Sequence, residues 1–512
     1  MSIARKILEN TFVQILGKVA TGALSIVILK IISSYLGTAG YGDYTTVYQY
    51  LAFFGIIADF GIYTITVKEM SRDQSQIPRI LGNVLGLRTL LTFIAMILGA
   101  IVVFLVPTYR NTLIPIGVIV ATFSTLFTIL NGTISTVLQV HLKMNYTTYG
   151  LVIGKIVSVI YMAWAAFIGF PRDPVMGFYH LLFAGVIANL VMFVITAYYT
   201  RRYTAITYRF DFDFWADVFK KSLPYGVALV LNTIYFRVNV IVLSSFLPHS
   251  LAVANGAVVC NATLCGDTEV GLYGVAMRML EVMIIIPVYF MNSVLPIMTR
   301  YIEEQSEKIR QLMQYSFDFL VASAAPLLAG GFVLAVPIVQ FISDPQFVSG
   351  HTYRYGSDIA VKILMFAMAF SFINSLFGFT LVVLNKQVKL MYINAGAVLF
   401  NIISNILVVA HWGFRGAAVT SVFSELLILI FTYHVAQRQL GFYLHLKTFS
   451  KLIFAALMMG LVLWVGMGLL PHAGAIPQLA ILVPIGSVVY LGIIYATRAV
   501  TPEMMSLLKK KA

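Results

Sequence analysis

The sequence predicts an all-α, polytopic membrane protein of about fourteen transmembrane helices, two six-helix bundles followed by two further helices, on three observations. Of the 512 residues, 60% are hydrophobic and only 11% are charged, whereas a soluble domain holds roughly 45–50% and 25%. Apolar stretches of about 20 residues recur along the whole chain, and a helix of that length crosses a hydrocarbon core roughly 30 Å thick. The basic residues behind the net charge of +14 gather in the short gaps between those stretches. That placement is a topology signal and not a polyanion-binding surface, so a lipid bilayer is the expected surrounding and nucleic acid is not an expected partner.

Taken in order, the apolar spans fall at 12–34, 45–67, 84–106, 112–140, 148–170, 176–198, 222–247, 270–297, 316–343, 359–384, 390–411, 416–437, 450–470 and 477–498. Met1 to Asn10 is polar, and the stretch after it is too long for a signal-peptide core and lacks a small-residue cleavage site, so the first helix is expected to stay. With the N-terminus inside, 23 of the 34 Lys and Arg fall in inside loops and tails, counting Lys451 and Arg498 at the inside ends of their spans. Only Arg110, Arg172, Arg354 and Arg415 fall outside, which predicts two cytoplasmic termini in the plasma or inner membrane.

An internal repeat organises the spans. The first outside loop reads Gly40-Tyr41-Gly42-Asp43-Tyr44 and the start of span 8 reads Val270-Gly271-Leu272-Tyr273-Gly274, so a Gly-x-Tyr opens the second helix of each half. A charged inside loop then follows in both, Lys68 to Arg79 and Arg300 to Arg310. The expected domains are an N-terminal six-helix bundle at 1–200, a cytoplasmic linker at 201–221, a second six-helix bundle at 222–437, and two extra helices with a basic tail at 438–512. Two related halves around a central cavity suit transport by alternating access.

Catalytic and metal-binding signatures are missing: there is no Walker loop, no G-x-S-x-G, no H-E-x-x-H and no acidic loop cluster of the kind that holds a metal. The longest outside loops, 248–269 and 344–358, are too short for a catalytic domain. The expectation is a protein that is not an enzyme and uses no cofactor or metal.

Ionisable residues inside spans are costly and mark a cavity, a pair or a relay. The cations are Lys18, Lys30, Arg88, Lys155, Arg237, Arg278 and Lys362, and the acids are Asp59, Glu281, Asp318 and Glu425, an excess of positive charge that an anionic substrate would neutralise. Arg88, Lys30, Lys362 and Asp318 lie within about four residues of a span end and are expected to reach the interface by extending. Arg237 lies about fifteen residues into span 7 and is expected to line a polar cavity, the alternative being a buried partner for Asp59 or Glu425. Lys18 and Lys155, roughly 10 Å from the inside face, are further cavity candidates. Arg278 and Glu281, three residues apart, share a helical face and form a natural local pair, with Arg278 also a cavity candidate. Asp59 and Glu425 have no basic residue one turn away, so each needs a partner from another helix, a proton or a coupling ion such as Na⁺. Around Arg237 stand Asn232, Tyr235 and Asn239; the last two share a face from which Arg237 points away. Cys260 and Cys265, the only cysteines, lie in one outside loop, where an oxidising exterior permits a disulfide.

The stretch Asn10 to Arg72, with Leu36-Gly37-Thr38-Ala39-Gly40-Tyr41-Gly42-Asp43-Tyr44 and Ala58-Asp59-Phe60-Gly61 before Lys68-Glu69, resembles the polysaccharide-transport flippases. These are the Wzx-like O-unit members of the multidrug/oligosaccharidyl-lipid/polysaccharide exporter superfamily. Val270-Gly271-Leu272-Tyr273-Gly274-Val275-Ala276 and Gly413-Phe414-Arg415-Gly416-Ala417-Ala418 are similar to the same family, and the resemblance runs essentially the full length. It implies two six-helix bundles with two extra C-terminal helices, a cationic central cavity, and movement of a lipid-pyrophosphate-linked oligosaccharide to the outer leaflet. The lipid II flippase branch shares that plan and is the nearest alternative, whereas the multidrug branch fits poorly because cationic drugs favour an acidic cavity. A third reading is a non-transport scaffold of a polysaccharide assembly machine, in which the charges only pair helices.

Overall fold

The computed structural model describes residues 3–141, 143–248, 265–471 and 473–499. The chain folds into helices α1 (Ile3–Asp59), α2 (Ile62–Arg72), α3 (Ile77–Leu105), α4 (Ile114–Val140), α5 (Met144–Trp164), α6 (Pro174–Thr200), α7 (Phe212–Phe246) and α8 (Gly266–Met283). After these come α9 (Ile285–Glu303), α10 (Lys308–Val333), α11 (Ala335–Ile342), α12 (Ser357–Val383), α13 (Gln387–Leu440), α14 (Leu446–Leu469) and α15 (Ala475–Ala496). No strand occurs among the described residues. Helices are what a lipid environment requires, because each segment satisfies its own backbone N–H and C=O groups. The outward faces agree: on α3, Phe93, Ile97, Ile101 and Leu105 recur at helical spacing and are exposed, while Thr92, Met96, Gly99 and Val103 turn inward. Exposed large apolar side chains over such areas belong in lipid, not water.

Eleven segments among the described residues are long and apolar enough to cross a membrane. Two of them exceed one bilayer. α1 has 57 residues and α13 has 54, and each is broken by a single glycine, Gly37 at φ 69° and Gly413 at φ 53°. Positive φ costs glycine nothing and other residues a clash. The predicted loop at Gly40 to Tyr44 is therefore corrected: those residues are helical, because the kink at Gly37 replaces a loop.

The two glycines singled out by the repeat meet in space. A Cβ on Gly42 would stand 1.7 Å from the Asp267 carbonyl oxygen, and one on Gly271 would stand 2.1 Å from the Thr38 carbonyl oxygen. Thr38 precedes Gly42 by the same four residues as Asp267 precedes Gly271, so α1 and α8 cross on matching positions of the repeat, at a distance only glycine allows.

Contacts divide the chain into two compact units, Met1–Gly271 and Leu272–Ala512. In the first, α7 packs on α1, α2 and α3, so it joins the N-terminal helices although the sequence marks a boundary at 201–221. The segment before α7 lies along the start of α3. Arg209 N donates to Gly82 O (3.0 Å), Asp211 N to Asn83 Oδ1 (3.0 Å), and the Trp215 indole to Asn83 O (2.9 Å). Asp211 caps α7 through the Phe214 amide and pairs with Arg79 at 3.2 Å. That amide and the Arg79 guanidinium hold its carboxyl below the usual carboxylate range. Trp215 completes an apolar cluster with Ile62, Met70, Leu81, Leu85, Ile134 and Val137 from α2, α3 and α4.

In the second unit, α10 carries the core. Met298, Leu320, Phe377, Leu452 and Met459 pack together, and α14 and α15 lie on α10 and α11, where the Tyr490 hydroxyl donates to Ala322 O at 2.9 Å.

Candidate functional site

The first unit holds a buried ion pair beside a cavity. α1 ends at Asp59 because the next two residues leave the helical region, Phe60 at φ 36° and Gly61 at φ 75°. This break presents the Asp59 carboxylate toward α3, where Arg88 is 3% exposed and donates from Nη2 to Asp59 Oδ1. Arg88 also donates from Nη1 to Thr133 Oγ1 on α4 (2.9 Å), while its Nε–H is buried without a partner among the described residues. The strained turn is clamped from its other side, since the Phe60 ring stacks on Phe219 of α7 at 5.4 Å.

The cavity encloses about 450 Å³ between α1, α2, α3, α4 and α6. Among the described residues, Asp59 and Arg88 are its only charged lining residues, and the rest of the polar wall comes from Tyr48, Tyr63, Ser124, Thr125, Thr128 and Asn189. The Asn189 amide donates to Ser124 Oγ at 2.7 Å, and the Tyr63 hydroxyl donates to Gln139 on α4. Polar groups inside a transmembrane bundle are retained where they bond helices or face a water-filled space; this set bonds helices and lines a cavity.

Arg237, on α7, donates from Nη1 to Gln49 Oε1 on α1 and is half-buried. Asn239 is buried, whereas the side chains of Asn232 and Tyr235 lie outside those described. Lys155 donates to Thr21 O at 3.1 Å and to Ser25 Oγ, tying α5 to the first half of α1. Lys18 is exposed. Arg278 and Glu281 form the local pair at 2.7 Å on an exposed face. Glu425, on α13, is buried and accepts from the Asn374 amide of α12, next to a polar series in which Asn401 donates to Ser424 Oγ at 3.1 Å. Cys265 is disulfide-bonded; Cys260 lies outside the described residues.

Two expectations are corrected. Arg88 does not reach the interface: α3 starts at Ile77, not at residue 84, so Arg88 sits eleven residues in, roughly 16 Å along the axis. Asp318 is likewise buried, held by Gln314 Nε2 at 3.0 Å, because α10 starts at Lys308. The polar wall of the cavity was also missed, although a signal existed: Ser124, Thr128, Asn131 and Ser135 follow one another at helical spacing in an otherwise apolar span.

The profile of a family described as polysaccharide biosynthesis protein matches residues 7–302, more than half of the chain and all the helices that line the cavity. The fold is similar to that of the lipid II flippase MurJ in an inward closed conformation, with a TM-score of 0.70 and 14% identity over 95% of this chain and 98% of that one. It is similar to an inward-facing multidrug resistance MATE family transporter of the MOP superfamily, with a TM-score of 0.65 and 14% identity over 84% and 98%. A MATE protein in complex with MaL6 gives a TM-score of 0.57 and 12% identity over 85% and 96%. No curated protein sequence matches the chain. At these identities the structural likeness is one of fold, a polytopic membrane fold found in transporters.

Proposed function

Because the chain belongs to the polysaccharide biosynthesis protein family, we propose that it moves a lipid-pyrophosphate-linked oligosaccharide from the cytoplasmic to the outer leaflet by alternating access. The observation that carries the reading is the family match over residues 7–302. The fold shared with a protein described as a lipid II flippase supports it. On this reading the chain performs no covalent chemistry, and Arg237, with Lys18, Lys155 and Arg278 as further candidates, meets the anionic head. Deleting the chain should remove surface polysaccharide while its lipid-linked unit accumulates inside. Unchanged surface polysaccharide would end the reading, and arrest of wall synthesis instead would favour a lipid II-type substrate.

The proposed coupling ion, Na⁺ or H⁺, has Asp59 and Glu425 as its candidate sites. A guanidinium sits against Asp59 and would repel a second cation there, which makes Glu425 the first to test. Glu425→Gln should therefore uncouple export from the ion gradient with little loss of folded protein; export that still follows the gradient would remove Glu425 from that role.

Both termini and the segment 201–221 are assigned to the cytoplasm of a plasma or inner membrane, on the distribution of Lys and Arg. Reporter fusions at residue 210 should score inside, and an outside score would overturn the orientation.

A further inference from the structure

We propose that the cavity of the first unit seats a neutral sugar ring, so that Tyr63, Ser124 and Asn189 act as a saccharide subsite. The inference rests on the flippase reading for its physiological ligand, but the chemistry of the wall argues for it separately. Charge comes first. Among the described residues, the only ionic groups lining the space are Asp59 and Arg88, bonded to each other. A bare cation placed there would meet a guanidinium, and a phosphate or pyrophosphate would meet a carboxylate whose charge already balances that guanidinium. A net-neutral ligand avoids both costs.

Hydrogen bonding comes second. The Asn189 amide spends one N–H on Ser124 Oγ, which leaves its carbonyl oxygen and second N–H for a ligand. The Tyr63 hydroxyl, which donates to Gln139, stands in the same wall. The Arg88 Nε–H is buried without a partner among the described residues, and an unmet donor at such a depth is costly. Donors and acceptors of this kind are spread through the wall beside the ring of Tyr48 and the apolar side chains of Ala52, Ile56 and Ile129. A pyranose has the same division: hydroxyls around its edge and C–H groups on its faces. A lipid tail would leave the polar wall unanswered, and a volume of about 450 Å³ lies within the range in which small ligands are enclosed.

The test uses the full-length, purified protein carrying Thr128→Cys, a position that is exposed and lines the cavity. Its alkylation rate by N-ethylmaleimide is measured under non-reducing conditions with methyl glucoside, methyl galactoside, methyl N-acetylglucosaminide, inorganic pyrophosphate or sodium chloride. At least one glycoside should slow alkylation in a saturable way, and pyrophosphate and sodium should not. Added Asn189→Leu should weaken that protection roughly fivefold, the effect of one neutral hydrogen bond. Added Ser124→Ala, which changes little volume, should do the same and covers the case in which Asn189→Leu fails to fold. No protection by any glycoside, protection by pyrophosphate or sodium instead, or protection unchanged in both added variants would each overturn the subsite. The flippase reading is judged by export in cells: glycoside protection without export would leave the subsite standing and the transport reading fallen, and export without protection would do the reverse.

Discussion

Replacing Arg88 by Leu should cost most of the folded protein, and replacing Asp59 by Asn in the same chain should bring much of it back. The guanidinium is almost fully buried and its carboxylate partner is the last residue of α1, so deleting the cation leaves a carboxylate facing a bundle interior. Removing one partner of such a pair costs roughly 3–5 kcal/mol, whereas removing both charges is close to neutral. Arg88 also donates to Thr133 Oγ1, so three helices, α1, α3 and α4, lose a shared tie at once. The readouts are monodisperse yield in detergent and apparent melting temperature for Arg88→Leu, Asp59→Asn and the double variant. A single Arg88→Leu that melts with the wild type, or a double variant no better than the single, would sink the account of this pair as the structural centre of the first unit.

That pair also marks where the sequence stops being readable. The polytopic helical class was legible, because apolar outward faces such as that of α3 dominate local hydropathy, while the described residues hold eleven spans of membrane-crossing length and not the fourteen expected. The depth of Arg88 was not. Hydropathy trims the first turns of α3, Ile77 to Asn83, as too polar for lipid; those turns are covered instead by the segment 204–215, which reaches them from more than a hundred residues later. A residue judged to be near an interface was therefore two turns deeper. The same mechanism hid Asp318 on α10. The kinks at Gly37 and Gly413 were marked only by the glycines themselves, since a loop and a one-residue kink differ in φ and ψ, not in composition. Among the candidate residues, the pairing of Arg278 with Glu281 was readable because it is local, at three residues' separation. The partners of Asp59 and Lys155 lie 29 and 130 residues away and became visible only once the helices were packed.

Arg237 carries the other large expected effect, and there function and stability should separate. Its guanidinium stays charged at any physiological pH and offers a planar fork suited to phosphate oxygens. In the structure one N–H goes to Gln49 Oε1, a neutral amide that orients the fork without neutralising it. If Arg237 holds the pyrophosphate during transport, Arg237→Ala should cut export roughly tenfold or more, the worth of a charged hydrogen bond to the head group, while yield and melting temperature stay near wild type. Arg237→Lys should retain part of the activity, since the charge survives and the fork does not. If instead the side chain mainly ties α7 to α1, Arg237→Ala should lose folded yield, and Gln49→Leu combined with Arg237→Leu should recover part of it by removing both ends of that bond. Surface polysaccharide and folded yield measured on the same four strains, wild type, Arg237→Ala, Arg237→Lys and the double variant, decide between these outcomes. Normal yield together with normal export in Arg237→Ala would remove this residue from the transport mechanism, and the anionic head would then have to be met by Lys18, Lys155 or Arg278.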